Sequence, residues 1–183
     1  HWRVHSASTA DNPASKLYAY EAGKKAIEGN LLRCGETGTV TLRSDYGFYD
    51  VEYQLQGTPL VSILIPNKDQ ADTLRTCIES IRKKCTYPTF EILVIENNST
   101  EEATFSYYKE LEAQGIRVLQ YPKQGFNYSA INNFGVREAK GEYLLFLNND
   151  MEVITPDFME KMVSNLQRPQ IGAVGAKLYY PDN

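Results

Sequence analysis

From residue 60 onward the chain alternates between apolar runs and helix-spaced apolar positions. Leu60 to Ile65 (LVSILI), Phe90 to Ile95 (FEILVI) and Tyr143 to Leu147 (YLLFL) are nearly unbroken apolar runs. Strands covered by helices on both faces read this way, because neither face meets water. Ile116 to Leu119 predicts a shorter strand, and Ile171 to Tyr180 a further one. Between the runs apolar residues recur every three or four positions. Ala71, Leu74, Ile78 and Ile81 mark a helix over 70–83 with Asp69 as its cap, and Ser99 or Thr100 caps a helix beginning at Glu101-Glu102. Ile131 and Phe134 face inward from a helix over 127–139, Gly141 ends that run, and Thr155-Pro156 starts another helix. This β-α alternation predicts an α/β fold: a mostly parallel open sheet with crossover helices.

Upstream the pattern differs. Residues 1–13 are polar and irregular; His1 and His5 are four apart, but no carboxylate or cysteine joins them as a metal pair. Asn12-Pro13 starts a helix over 14–33, in which Leu17, Ala22, Ala26, Ile27 and Leu31 recur at helical spacing. Gly23-Lys24-Lys25 lacks the strand, the upstream glycine and the Ser/Thr of a P-loop. Gly35 and Gly38 break the helix, and 39–42 with 49–55 predict a small β-hairpin around RSDYGF, whose Tyr46, Tyr49 and Tyr53 read as a packed face, with a binding surface as the alternative. Gln56-Gly57-Thr58-Pro59 marks a boundary, giving regions 1–57 and 58–183.

The 183 residues, 42% hydrophobic and 23% charged, fit one domain of roughly 150 residues plus an appendage. A net charge of −4 leaves no basic footprint for nucleic acid. Cys34, Cys77 and Cys85 are odd in number and scattered, as in a reducing compartment. No apolar run approaches the ~20 residues of a membrane helix. His1 is not a natural initiator, so an excised piece of a longer protein is expected.

The chemistry collects at strand ends. Pro66-Asn67-Lys68-Asp69, Glu96-Asn97-Asn98-Ser99 and Asn148-Asn149-Asp150 each follow an apolar strand, with Glu152 two residues further on. In a parallel sheet these ends share one edge, where open α/β sheets bind ligands. Asp150 and Glu152 are hard oxygen donors suited to Mg²⁺ or Mn²⁺, which one or two carboxylates hold while substrate phosphates complete the shell. A GxGxxG loop is absent, which argues against dinucleotides, and no histidine lies between residues 6 and 183. The inventory fits a nucleoside diphosphate bound through a divalent cation. The plainer alternative is that these residues only cap helices and turns.

PLVSILIPNKD, FEILVIENNST and INNFGVREAKGEYLLFLNNDMEV, in this order from about Pro59 to the C-terminus, resemble family-2 inverting glycosyltransferases of the GT-A fold. More closely they resemble bacterial enzymes that build rhamnan, O-antigen and other surface polysaccharides. The resemblance implies nucleotide binding by Pro66, Asn67, Glu96, Asn97, Asn132, Asn148 and Asn149. It lays the family's Asp-x-Asp metal motif on Asn148-Asn149-Asp150, with Asp150 as ligand, Asn148 in the other acidic position and Glu152 as a second carboxylate for Mn²⁺ or Mg²⁺. The family's second strand usually ends in two aspartates; Glu96-Asn97 here leaves the base open, with a UDP- or dTDP-sugar as donor. The implied reaction moves a sugar, with inversion, to a hydroxyl of a growing bacterial surface glycan. Residues 1–28 resemble the connector between modules of tandem glycosyltransferases, so 1–57 is expected to be a linker with a helix and hairpin, 58–183 the donor-binding half, and a neighbouring glycosyltransferase module a partner. The catalytic base is expected beyond Asn183, leaving this chain alone inactive. A cytoplasmic location is implied, with attachment to the inner face of the membrane as the alternative. Two competing functions are a degenerate scaffold module and a sugar nucleotidyltransferase; the latter's glycine-rich loop is replaced here by PNKDQADT.

Overall fold

A computed structural model describes residues 13–45, 47–180 and 182. His1, His5, Asn12 and Tyr46 lie outside the described residues. The chain clusters into two compact units: the residues up to Gln56 together with Ser164–Gly175, and Gly57–Val163 together with the residues from Ala176.

In the first unit a 3-10 turn, Pro13–Lys16, leads into α1 (Leu17–Cys34). Gly35 ends α1 at φ 69°, a left-handed conformation that costs glycine nothing sterically. The N–H groups of Gly35 and Glu36 then bond the carbonyls of Leu32 and Leu31, satisfying the last turn in a Schellman pattern. Strands β1 (Gly38–Leu42) and β2 (Tyr49–Tyr53) pair antiparallel with Val40 opposite Val51. Two tyrosines of this hairpin, Tyr49 and Tyr53, are packed. The Tyr49 hydroxyl donates to the Tyr20 carbonyl of α1 at 2.8 Å, passing over Gly23, where a Cβ would overlap it. Tyr53 lies under the Arg168 guanidinium, 4.0 Å from ring centroid to Cζ, and Arg168 pairs with Glu36 at 2.9 Å.

In the second unit β3 (Val61–Asn67), β4 (Phe90–Glu96), β5 (Arg117–Gln120) and β6 (Tyr143–Phe146) form one sheet in the order β5-β4-β3-β6. Every pairing in it is parallel. Helices α2 (Ala71–Lys84), α3 (Glu102–Ala113), α4 (Tyr128–Glu138) and α5 (Phe158–Leu166) follow β3, β4, β5 and β6 in turn. Ile63, Leu64, Ile65, Leu93, Val94 and Ile95 are all fully buried, so both faces of the two central strands are covered, as their unbroken apolar runs require. Leu74, Ile78 and Ile81 of α2 and Ile131 of α4 supply the covering side chains.

Gly141 does more than end a helix. A Cβ at this position would stand 2.5 Å from Ser62 N and 2.8 Å from Leu60 O, so only glycine lets the chain enter β6 against β3. Its N–H donates to Ser62 Oγ, which donates to Glu91 Oε1 at 2.6 Å, and the Lys140 N–H donates to the same carboxylate oxygen at 2.7 Å.

Two expectations are corrected. Asp69 does not cap α2, which starts without a side-chain cap after Asp69 and Gln70 adopt φ of 53° and 57°. Its Oδ1 instead accepts from the Thr100 and Glu101 N–H groups at 2.7 and 2.9 Å and serves the start of α3, which Ser99 or Thr100 was expected to cap. The parallel pairing of β3 and β4 sets the two loops side by side, so the cap comes from across the sheet. Ile171 to Tyr180 forms no strand: residues 171–180 are irregular and mostly exposed, and no described strand offers them a ladder. An apolar run without a pairing partner leaves its backbone groups unmet, and so it does not become a strand.

Candidate functional site

The chain steps from β3 to β4 to β5 and then returns to the other side of β3 to lay down β6. The sheet therefore reverses between β3 and β6, the place where open α/β sheets bind ligands beyond their carboxyl ends. A depression of about 440 Å³ lies there, lined by Pro66, Phe126, Tyr128, Asn148, Asn149 and Asp150. Asn148 and Asp150 are exposed in it.

The loop carrying Asp150 is laced to α2. The Leu147 N–H continues the ladder to Leu64 O at 3.0 Å. The Cys77 thiol donates to Asn148 O at 3.7 Å, and the Val153 N–H donates to Ser80 Oγ at 3.0 Å. Lys84 Nζ donates to Glu152 Oε1 and to Val153 O, each at 2.8 Å. Burial pushes the Cys77 thiol up to about 11, with the negative charge of Asp150 adding to the effect, so it is a structural thiol under the loop. Lys84 holds the Glu152 carboxyl below its ordinary value. Glu152 is thus turned to Lys84, and Asp150 is the carboxylate that lines the depression. Among the described residues no three His, Cys, Asp or Glu side chains gather into a metal-holding group. One exposed carboxylate flanked by two asparagine amides still fits Mg²⁺ or Mn²⁺, whose remaining ligands are water and phosphate oxygens.

Behind the depression the three strand ends are joined by one buried hydrogen-bond network. Asn149 Nδ2 donates to Asn67 Oδ1 at 2.6 Å. Asn67 Nδ2 donates to the Tyr108 hydroxyl at 2.8 Å and to Asp69 O at 2.9 Å. The Tyr108 hydroxyl donates to Glu96 Oε2 at 2.8 Å. Ser99 gives the same carboxylate its hydroxyl at 2.5 Å and its N–H at 2.6 Å. The Asp69 N–H donates in turn to Ser99 Oγ at 2.8 Å. Burial is the chief force pushing the Tyr108 phenol upward, which keeps it a proton donor to Glu96. Asn67 is 2% exposed and Glu96 4%, and both side chains are occupied by protein partners.

The residues expected to bind nucleotide therefore divide. Pro66, Asn148 and Asn149 line the depression. Asn67 and Glu96 are internal, holding the strand ends in register. Asn97 and Asn132 are buried, and the Oδ1 of each has no hydrogen-bond partner, while Asn132 Nδ2 is spent on Tyr128 O at 3.0 Å. Buried acceptors of this kind call for a donor from water or ligand. Reading by sequence missed Tyr108, the hub of the network, and Phe126 and Tyr128 on the rim. Asn98, named only as a member of the polar cluster after β4, takes a φ of 58°. Asn98 Nδ2 donates to Lys123 O at 3.2 Å and its Oδ1 accepts from the Gly125 N–H at 3.0 Å. The one local signal was the Asn-Asn pair after β4, since asparagine tolerates the left-handed region better than most residues.

Among the described residues no helix is long and apolar enough to cross a membrane. The chain is 43% identical over 182 residues to the O-antigen biosynthesis protein RfbC of Myxococcus xanthus, covering 100% of this chain and 14% of that protein. It is 42% identical over 184 residues to the uncharacterized protein y4gI of Sinorhizobium fredii, covering 99% of this chain and 20% of that protein. The chain thus spans a fifth or less of these relatives' length. In fold it is similar to the mannosyltransferase PcManGT from Pyrobaculum calidifontis, solved in complex with GDP-Man and Mn²⁺, with TM-score 0.55 and 17% identity over 87% of this chain and 44% of that one. That likeness is to the GT-A fold. The profile of Glycosyl transferase family 2 matches residues 62–183, two thirds of the chain, and the protein belongs to that family of glycosyltransferases.

Proposed function

We propose that residues 58–183 bind a nucleotide-diphosphate sugar through a divalent cation at Asp150. The full protein then transfers the sugar, with inversion, to a hydroxyl of a growing bacterial surface glycan. The observation that carries this is the position of Asp150: an exposed carboxylate at the switch point of the sheet, in a depression walled by Pro66, Asn148 and Asn149. A cation held there neutralises the charge that develops on a diphosphate leaving group. The cation and nucleotide-sugar in the mannosyltransferase complex support the donor class, and the name of the Myxococcus xanthus relative supports a surface glycan as product. Asn97 and Asn132, with their unmet Oδ1 acceptors, are assigned to the nucleotide as well. Residues 1–57 are assigned to a linker with a helix and hairpin, next to a further glycosyltransferase module in the cytoplasm.

The test is a calorimetric titration with UDP, dTDP, GDP and CDP, with and without Mn²⁺. The expected result is Mn²⁺-dependent binding of one nucleotide, abolished by Asp150→Ala; affinity that is unchanged in that variant would sink the proposal. A second reading, a module that binds donor without turning it over, is favoured by one observation: Asn148 replaces an acidic residue while Glu152 is engaged by Lys84. Mn²⁺-dependent nucleotide binding by a full-length protein that never consumes the bound nucleotide-sugar would select it.

A further inference from the structure

Phe126 sits on the rim of the depression with 75% of its surface exposed, and Tyr128 beside it with 44%. These two aromatics flank Asn127, whose side chain caps α4 by accepting from the Ala130 N–H at 3.0 Å. An apolar residue just before a helix cap ordinarily folds back onto the residue four positions after the cap, closing a hydrophobic staple. Here that residue is Ile131, buried in the core cluster with Leu64, Leu93, Ile95 and Tyr121, and Phe126 is left in solvent. The ring therefore lies outside the core cluster that Ile131 joins.

The loop that carries it is nevertheless held. Residues 122–129 are all exposed, so little packing orders them. What orders them is Asn98, which grips Lys123 O with Nδ2 and the Gly125 N–H with Oδ1. Both Asn98 and Gly125 take positive φ, 58° and 83°. Asparagine adopts that region more readily than other non-glycine residues, so the clamp is built from the residue types that suit its backbone. A side-chain clamp that holds an exposed aromatic in the same depression as an exposed carboxylate is a binding arrangement rather than a packing one. Meanwhile Asn67 and Glu96, polar groups suited to reading a base edge, are turned inward to Tyr108 and Ser99. The planar surface offered to a ligand beside Asp150 is aromatic.

We infer that Phe126 and Tyr128 form a stacking platform for the nucleobase of the donor, and that Asn98 is the positioning residue that presents it. This rests on the nucleotide-binding reading of the same site. Stacking on an aromatic face is tolerant of base identity, so the platform supplies affinity while the edge groups around it discriminate. Tyr128 also fixes Asn132, whose Nδ2 donates to the Tyr128 carbonyl, so platform and unmet acceptor move as one piece of α4.

The experiment compares two probes in Mn²⁺, the nucleoside diphosphate that binds best among UDP, dTDP, GDP and CDP, and inorganic pyrophosphate, which has no base. Phe126→Ala is expected to weaken the nucleotide roughly 5- to 100-fold, the range for losing one base–aromatic stack, and to leave pyrophosphate binding unchanged. Phe126→Tyr is expected to restore the nucleotide. Asn98→Gly keeps the positive φ and removes only the clamp, and is expected to reproduce the Phe126→Ala pattern. Nucleotide binding undiminished in Phe126→Ala overturns this inference alone. So does unchanged nucleotide binding with weakened binding of the corresponding nucleotide-sugar, which would give the platform to the sugar instead. Equal weakening of nucleotide and pyrophosphate in Asn98→Gly overturns the positioning role. Absence of any Mn²⁺-dependent nucleotide binding by the unaltered chain overturns the parent reading and this one with it.

Discussion

Asn149 Nδ2 donates to Asn67 Oδ1 at 2.6 Å, and this bond ties the carboxyl end of β6 to that of β3. The strands are neighbours in the sheet, but their ladder stops at Leu64 and Phe146. The side-chain bond extends the connection to the point where the chain leaves the sheet for Asp150. Through Tyr108 the same Asn67 reaches Glu96, so the loops after β3, β4 and β6 are positioned by one set of buried amides, hydroxyls and a carboxylate.

Asn67→Ala is therefore expected to cost about 1–3 kcal/mol, the penalty for leaving buried polar partners unmet. It strands the Asn149 amide and removes one of the three partners that orient the Tyr108 hydroxyl, leaving Glu96 and Ser99. The urea midpoint by circular dichroism should fall. Mn²⁺-dependent nucleotide binding should weaken as well, although Asn67 does not line the depression. A lowered midpoint with unaltered affinity would show that the network stabilises the sheet without positioning the site.

Asp69 gives a pH dependence with a definite sign. The Glu101 and Thr100 N–H groups, in that order, hold its carboxyl below the usual value of 3.8. A carboxyl depressed in the folded state binds its proton more readily when unfolded, so it stabilises at pH above the unfolded value and loses that effect as pH falls through the folded one. The difference in urea midpoint between the unaltered chain and Asp69→Ala should be constant from about pH 7 to pH 5 and shrink below about pH 4. Asp69→Asn keeps an acceptor oxygen for the α3 N-terminus and should lie between them.

Glycines 135 and 141 separate two kinds of close approach. At Gly135 a Cβ would meet the terminal methyl of Ile95, a side chain able to turn aside, and alanine gains helix propensity of about 0.5–1 kcal/mol. At Gly141 it would meet the backbone of Ser62 and Leu60, which cannot move without breaking the β3 ladder. Gly141→Ala should cost at least the 1–3 kcal/mol typical of overpacking, and clearly more than Gly135→Ala. Equal midpoints for the two variants would mean that the entry into β6 yields.

What the sequence disclosed follows from how local each feature is. The central strands were legible because burial on both faces writes itself into consecutive residues such as Ile92–Ile95. The strand ends were legible as polar clusters directly after those runs. Assignments that depend on contacts across the sheet were not. Asp69 caps a helix 31 positions away, and nothing in PNKD points to Thr100. Tyr108 reads as one more apolar position of α3, yet its hydroxyl is the hub on which Asn67 and Glu96 meet. Ile171 to Tyr180 has strand composition, but composition does not specify a partner. Phe126 carries no local signal in the sequence; its exposure and the clamp of Asn98 exist only in the fold.

The same distinction decides which carboxylate lines the depression. Asp150 and Glu152 are two apart, and spacing alone offers both. In the fold Lys84 reaches Glu152 Oε1 and Val153 O together, drawing the glutamate onto α2 and away from the depression. Both partners are largely exposed, so the ion pair itself adds little stability, and its consequence is one of direction. Glu152→Gln should leave Mn²⁺-dependent nucleotide affinity within about 3-fold of the unaltered chain, because an amide still accepts from Lys84 and the cation never used the carboxylate. Asp150→Asn should abolish it. Lys84→Met is the discriminating third variant: it frees Glu152 to swing toward Asp150, and the second carboxylate should tighten Mn²⁺ itself, measured by electron paramagnetic resonance of free Mn²⁺. If Glu152→Gln proves as damaging as Asp150→Asn, Glu152 leaves Lys84 when the cation arrives, and the lysine is then the counterion that holds the site closed until donor binds.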